Sequence, residues 1–308
     1  VIISKIFQGL GNQLFQYSYG FARANDIGTT LKIDTSYYNN YSEVTQYGYT
    51  YKRDFGLNRF TITAPEATAD EINNILHPTG NTLVQKLNNK YRQYVAGYNK
   101  KFSVKEPSYT FDDKLLHLCD NTYVEGYFTD ERYFKKYRNQ LLQQFKLSSN
   151  PSEKNAAILA QMQQEDSVCI SIRRTNFLNN PLMGVCGEDF YYNAMEEMAA
   201  RLKNPVFYVF SDDNKWVNSY FKSPYKCIPI QHNYPDFYED FRLMQGCKNH
   251  ITPNSTFPWW AAWLANYNNK IVIAPKYWLN SDTIDYSRFV PDSWIRLEHQ
   301  INTKFAGD

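Results

Sequence analysis

From residue 167 onward the chain alternates short apolar runs with amphipathic stretches, and that alternation leaves few folds open to it. Apolar, β-branched runs fall at 167–172, 205–210, 226–230, 249–252 and 270–274, with helical spacing over 188–202, 213–221, 237–247 and 255–266. Strands separated by helices lie parallel, because a parallel pair needs a crossover long enough to hold a helix. The pattern predicts an α/β domain with a doubly wound parallel sheet.

At 308 residues the chain is long for one core and suits two domains. The first half opens with a strand at 1–7, a turn at Gly9-Leu-Gly11-Asn-Gln13, a helix over 14–25 and a strand at 30–34. The stretch 37–121, rich in Tyr, Asn and Lys, has no clear period; a strand at 122–126 and a helix over 130–145 follow. The polar segment 146–153, with Pro151, reads as the linker. The expected domains are therefore 1–148 and 149–308.

Charge excludes one large class of partner. With 33 basic and 31 acidic side chains the net charge is +2, which recruits no nucleic acid. A local excess, Lys86, Lys90, Arg92, Lys100, Lys101 and Lys105, is interleaved with Leu87, Tyr91, Tyr94, Val95 and Tyr98. This stretch reads either as a solvated face or as a peripheral contact with an anionic bilayer. The 26 Tyr and 20 Phe suit clefts that are apolar and wet at once, and equally suit cores. Five cysteines without C-x-x-C spacing read as reduced thiols. No signal sequence or run of about 18 apolar residues is visible, so the expected location is cytoplasmic.

The strand at 167–172 runs straight into Arg173 and Arg174. In an open α/β sheet ligands collect beyond the carboxyl ends of the strands, where planar, always-charged guanidinium groups can grip a pyrophosphate. Two further segments fall at strand ends of the same expected sheet: Ser211-Asp212-Asp213 and Asn254-Ser255-Thr256-Phe257. Ser255 and Thr256 at a helix start offer hydroxyl and N–H donors to phosphate; helix capping is the plainer use, as it is for Asp212 and Asp213. No D-x-D stands at a strand end, no His/Cys/carboxylate group has metal-ligand spacing, and no metal or other cofactor is expected. Asn12, after the Gly9-Leu-Gly11 turn, reads either as a cap for a helix starting near Gln13 or as a substrate contact.

Six strings occur in order: Gly9-Leu-Gly-Asn-Gln-Leu-Phe-Gln-Tyr17, Glu125-Gly-Tyr-Phe128, Ile172-Arg-Arg174, Phe210-Ser-Asp-Asp213, Leu243-Met-Gln-Gly-Cys247 and Asn254-Ser-Thr-Phe-Pro-Trp-Trp-Ala-Ala-Trp263. Together they resemble the bacterial alpha-1,2-fucosyltransferases of glycosyltransferase family 11. The resemblance implies two facing Rossmann-like domains of GT-B type. It also implies inverting, metal-independent transfer of L-fucose from GDP-fucose to a galactoside or lipid-linked oligosaccharide in surface polysaccharide synthesis. On it, Arg173 and Arg174 bind the pyrophosphate; Asp212, at a strand end of the same expected sheet, is a further substrate-binding candidate. Asn254, Ser255, Thr256 and Phe257 hold phosphate or guanine, Asp240 the guanine edge, and Gly9, Gly11 and Asn12 face the donor from the first domain.

The chain departs from the family in having Ser171 for a usual His, Asn176 for a usual Asp, and Pro258 for a usual Ser. The departures leave the general base unassigned among Glu125, Asp130, Glu131, Asp189 and Asp34, and a mechanism with little base assistance, driven by stabilisation of the leaving group, is equally open. They also leave open a non-catalytic binding module, or the same fold with another GDP-sugar.

Overall fold

The computed structural model describes residues 1–302 other than 41–42, 47–48, 78–82, 95–97, 99–100, 179, 282–288 and 300. Val95 and Lys100 of the basic stretch lie outside the described residues. The chain forms two compact units, Val1–Val44 with Lys52–Lys146, and Thr45–Tyr51 with Leu147–Asp308.

In chain order the elements before residue 147 are β1 (Ile2–Lys5), α1 (Leu10–Ile27), β2 (Leu31–Asp34), α2 (Tyr37–Asn40), β3 (Glu43–Gln46), β4 (Tyr49–Lys52), α3 (Ala69–Leu76), α4 (Leu83–Tyr94), β5 (Ser103–Lys105), β6 (Thr122–Glu125) and α5 (Arg138–Gln144). β3 and β4 form a separate pair, and the first unit is built on a sheet of order β2-β1-β6-β5. All its neighbours are parallel. β1 is completely buried over Ile2, Ile3 and Ser4, as a strand covered on both faces must be.

After residue 147 come α6 (Glu153–Gln164), β7 (Asp166–Ile172), β8 (Val185–Cys186), α7 (Glu188–Arg201), β9 (Pro205–Ser211), α8 (Asn214–Tyr220), β10 (Cys227–Pro229), α9 (Phe237–Gly246), β11 (Asn249–Ile251), α10 (Thr256–Leu264), β12 (Val272–Pro275), β13 (Ile295–Leu297) and β14 (Ile301–Asn302). Six of these strands form a parallel sheet of order β10-β9-β7-β11-β12-β13. Counted from β7 this is the order 3-2-1-4-5-6 of the doubly wound dinucleotide-binding fold. Its core packs Val168, Ile170, Ile172, Phe207 and Val209 against Phe190, Ala194, Met195 and Met198 of α7.

Several local expectations are corrected. α1 starts at Leu10, four residues early, with Gly9 as its N-cap and no side-chain cap, so Asn12 lies inside the first turn and caps nothing. The single helix expected over 130–145 is two 3-10 turns, Glu131–Tyr133 and Lys135–Tyr137, followed by α5. Asp130 turns its carboxylate onto the Arg132 N–H, and burial of Tyr133 and Phe134 pulls the chain inward at Phe134, whose φ of −141° breaks the helix. α6, capped by Ser152, follows the linker directly.

Gln13 explains part of the first string. Its amide is buried; Nε2 donates to the Gln8 carbonyl (3.0 Å) and the Asp54 carbonyl (2.9 Å), and Oε1 accepts from the Gly56 N–H (2.8 Å). One side chain thus ties the β1–α1 loop to residues 54–56. Gln13→Ala leaves three backbone groups without their partner, and we expect a loss of about 1–3 kcal/mol. Denaturant unfolding measures it; an unchanged midpoint contradicts the role.

Candidate functional site

The strand order of the second unit creates a crevice where chain direction switches, between the carboxyl ends of β7 and its neighbour β11. Arg173 follows β7, and Asn254 to Phe257 follow β11. Register then sets which groups meet. Ile172 pairs with Ser211, so Arg173 and Arg174 leave the sheet beside Asp212 and Asp213.

Asp212 is the hub of that meeting. Its Oδ1 accepts the Arg174 N–H (2.8 Å), while Oδ2 accepts the Thr175 hydroxyl and pairs with Arg173 Nη1 (2.8 Å). Arg173 also donates from Nη2 to Asn176, stands 5.3 Å from the Phe177 ring centre, and remains about one-third exposed. Its Nε is buried with no acceptor among the described residues. Arg174 is different: its guanidinium lies 4.2 Å over Trp216, pairs through Nε with Asp213 (3.2 Å), and is nearly buried. Asp213 caps α8 by accepting the Trp216 N–H (3.0 Å); Asp212 does not cap.

Beyond β11, Asn254 turns inward. Its Nδ2 donates to the carbonyls of Met183 (2.9 Å) and Trp278 (3.1 Å), with Gly184 at 3.5 Å, and Oδ1 faces Cys186 Sγ at 3.6 Å. Ser255 is the N-cap residue of α10, yet its hydroxyl makes no cap bond. Thr256 and Phe257 begin the helix, where N–H groups have no intrahelical acceptor. Pro258 contributes no N–H, so this end offers two backbone donors of its first three positions, plus two hydroxyls.

Packing of α9 on α10 brings Phe257 to Phe241 (5.1 Å) and Phe237 (6.0 Å), beside the helix that carries Asp240. Burial raises the Asp240 carboxyl to about 6; the Asn233 amide donating at 2.8 Å opposes the rise, and nearby Asp236 and Glu239 add to it. Asn233 is held by the buried Asn155, which also donates to Glu239 (2.6 Å) and meets His232 Nε2 (2.8 Å).

In the first unit the order reverses between β1 and β6, so its crevice is framed by Phe7 to Gly9 and Gly126 to Phe128. Gly9 lies where a Cβ would come within 2.5 Å of the Arg53 guanidinium; Gly11 is buried and Asn12 half-buried in α1. The five carboxylates considered as bases are engaged. Glu125 pairs with Lys5 (3.0 Å) and Lys105 (3.1 Å), which outweigh its burial and lower it. Asp130 is gripped by Arg132 (2.6 Å), Glu131 faces Lys135 (3.8 Å), and Asp34 accepts from Tyr123 (2.7 Å) and the Ser36 N–H (2.9 Å). Asp189 lies in the first turn of α7 in the other unit. Sequence reasoning passed over Glu106, just beyond β5, whose carboxyl burial raises to about 7. It sits in the stretch without a period, and no motif marks it.

A hollow of about 880 Å³ in the first unit, lined by Arg23, Asp26, His117, Cys119, Asp120 and Lys136, lies near the amino end of β6. That is the wrong end of a parallel sheet for a ligand site, and Asp26 already pairs there with Arg23 (2.5 Å) and Lys136. Among the described residues no three His, Cys, Asp or Glu side chains are grouped to hold a metal ion, and no helix is long and apolar enough to cross a membrane.

The geometry is that of parallel α/β units with candidate ligand groups at their strand ends, one unit carrying a dinucleotide-type sheet. The profile of glycosyl transferase family 11 matches residues 3–298, and the chain belongs to that family. Among its relatives, an Escherichia coli alpha-1,2-colitosyltransferase is 28% identical over 97% of this chain and 99% of its own length. The E. coli O-antigen biosynthesis glycosyltransferase WbnK is 27% identical over 94% and 98%. A solved NodZ alpha-1,6-fucosyltransferase soaked with GDP-fucose aligns over 85% of this chain and 91% of its own, with 16% identity and a TM-score of 0.45.

The inward amide of Asn254 has a measurable consequence. Asn254→Asp replaces a donor by a carboxylate facing three carbonyls, so we expect a loss of about 1–3 kcal/mol in stability without any ligand present. If thermal unfolding of the variant matches wild type, Asn254 is not the clamp described.

Proposed function

We propose that the protein is an inverting alpha-1,2-fucosyltransferase that moves L-fucose from GDP-fucose to a galactoside or lipid-linked oligosaccharide acceptor in surface polysaccharide synthesis. The donor is assigned to the second unit and the acceptor to the first. The observation that carries the reading is the Arg173 guanidinium at the switch point of a 3-2-1-4-5-6 sheet, with the α10 N-terminus on the adjoining strand end, in a chain of this family. Arg173 keeps about one-third of its side chain exposed at that strand end, so its always-charged guanidinium is reachable by an anion.

In this reading Arg173, the N–H groups of Thr256 and Phe257, and the hydroxyls of Ser255 and Thr256 neutralise charge growing on the leaving diphosphate. Arg174, stacked on Trp216, sets the loop and adds positive charge from beneath. Asp212 positions both arginines, and Asn254 braces the loop from behind. Asp240 accepts hydrogen bonds from the guanine edge while ionised, against the ring of Phe257. Gly9, Gly11 and Asn12 serve the substrate in the first unit, with the Asn12 amide available to a hydroxyl. No metal is required, because arginine and a helix terminus take the cation's part.

A second donor is favoured by one observation: a full-length relative is named for colitosyl transfer. Contacts to guanine and diphosphate do not read the sugar, so the two donors are separated by assay. Incubated in excess EDTA with an acceptor panel, wild type transfers fucose from GDP-fucose, measured by mass spectrometry. Arg173→Ala lowers kcat/KM by about 100-fold or more, and Arg173→Lys fails as well. Exclusive use of a colitosyl donor replaces fucose in the reading; binding of GDP without any transfer replaces the enzyme by a binding module. Loss of activity in EDTA, restored by Mg²⁺, overturns metal independence.

Peripheral attachment to an anionic membrane face completes the proposal. Leu83, Leu87, Tyr91 and Tyr94 form a stripe on α4 and are 59–79% exposed, alongside exposed Lys86 and Lys90. From residue 72 to 105 the sequence has six Lys or Arg and no Asp or Glu. Apolar stripe and positive charge together match an anionic bilayer. The protein should sediment with phosphatidylglycerol vesicles at low salt and not with phosphatidylcholine vesicles. Leu87→Glu/Tyr91→Glu should abolish this, and equal sedimentation of the variant removes α4 from the proposal.

A further inference from the structure

The crevice of the first unit holds a carboxyl, Glu106, that belongs to none of the six strings read from the sequence. Glu106 follows β5, and because Lys105 pairs with Glu125, it emerges beside Gly126 at the carboxyl edge of the sheet. Its Oε2 accepts two successive backbone N–H groups, Tyr127 at 2.7 Å and Phe128 at 3.1 Å. Phe128 reaches this position with φ of 50°, in the left-handed region a bulky residue avoids. Successive N–H groups turned by a left-handed residue make an anion nest. Gly126 belongs to the same device: a Cβ there would overlap that of Glu106. The Glu-Gly-Tyr-Phe string thus has a physical purpose, which is to cradle a carboxylate that lies about twenty residues earlier in the chain.

The cradle uses one oxygen. Among the described residues Oε1 accepts no hydrogen bond and no cation pairs with Glu106; Lys105 pairs instead with Glu125. The titratable groups around Glu106 are Tyr19, Tyr98, Tyr109, Tyr127 and Tyr133. Burial raises the pKa of each, so all remain neutral near pH 7. Tyr127 lies between Phe7 (5.2 Å) and Tyr109 (5.4 Å), giving the crevice an aromatic wall of the kind that sugar faces cover.

We propose that Glu106 is the general base of the transfer, its Oε1 taking the proton of the acceptor hydroxyl. The assignment rests on the transferase reading above. As the acceptor oxygen bonds to the anomeric carbon with inversion, the bond from that carbon to the diphosphate oxygen breaks. The electron pair leaves with the nucleoside diphosphate, and the hydroxyl proton passes to Glu106. A carboxyl that burial holds at about 7 and two N–H groups keep in place is matched to that task near neutral pH.

Glu106→Gln separates base from brace. The Gln amide oxygen still accepts from Tyr127 and Phe128, so the fold and GDP affinity should stay at wild-type level, while kcat/KM falls by about 100-fold or more. In wild type, kcat/KM should drop as pH falls through about 7, with one proton taken up; the variant should lack that limb. Glu106→Asp should keep the limb and lose rate, its carboxylate being one methylene too short. An active wild type with no acid limb near 7, or a Gln variant that keeps rate and limb, overturns the assignment of Glu106 alone. A wild type that transfers sugar from no GDP-sugar overturns the transferase reading and the base with it. If the Gln variant does not fold, the wild-type limb and the Asp variant decide.

Discussion

Parallel pairing with a reversal of strand order beside the first strand is the constraint on which each unit depends. In a parallel sheet all carboxyl ends lie along one edge, so residues far apart in sequence collect there without any local signal drawing them together. In the second unit the edge gathers Arg173, Asp212 and Ser255, each one to four residues beyond its strand. In the first it gathers Phe7, Glu106 and Gly126. Burial of the strands on both faces leaves the edge as the place where charged groups can be both fixed and accessible.

The two edges treat carboxylates in opposite ways. Asp212 is surrounded by donors: an arginine, a hydroxyl and a backbone N–H share its two oxygens, and the result is a rigid platform for Arg173. Glu106 meets neutral N–H groups and tyrosine rings, with no cation to favour its charge. Burial therefore wins and lifts its proton affinity, although the nest pulls the other way. Glu125, two positions from Phe7's wall partner Tyr127, shows the balance tipped by two lysines. Position relative to cations, more than residue type, separates the lowered Glu125 from the raised Glu106.

Two of the four non-glycine residues with positive φ among the described residues stand at the edge of the first unit. Gln8 and Phe128 both have positive φ, at 67° and 50°. Each is over-determined: the Gln8 carbonyl accepts from Gln13 and Tyr38, and the Phe128 N–H meets Glu106. Strain held by several hydrogen bonds is typical of sites whose geometry matters more than their stability.

The sequence by itself determined the period-driven features, the alternating second unit and the arginines after its first strand, because burial writes apolar periodicity directly into neighbouring residues. It could not resolve 130–145, where capping by Asp130 and burial of Phe134 override helical spacing. Nor could it tell the two arginines apart: Trp216, forty-two residues after Arg174, covers one and leaves the other exposed. Asn254 read as a ligand group, and three distant carbonyls draw its amide inward. Glu106 was invisible for the same reason. Its setting comes from strand register and from N–H groups about twenty residues downstream, and long-range pairing of that kind leaves no mark on the residues next to it; only the tertiary structure could bring them together.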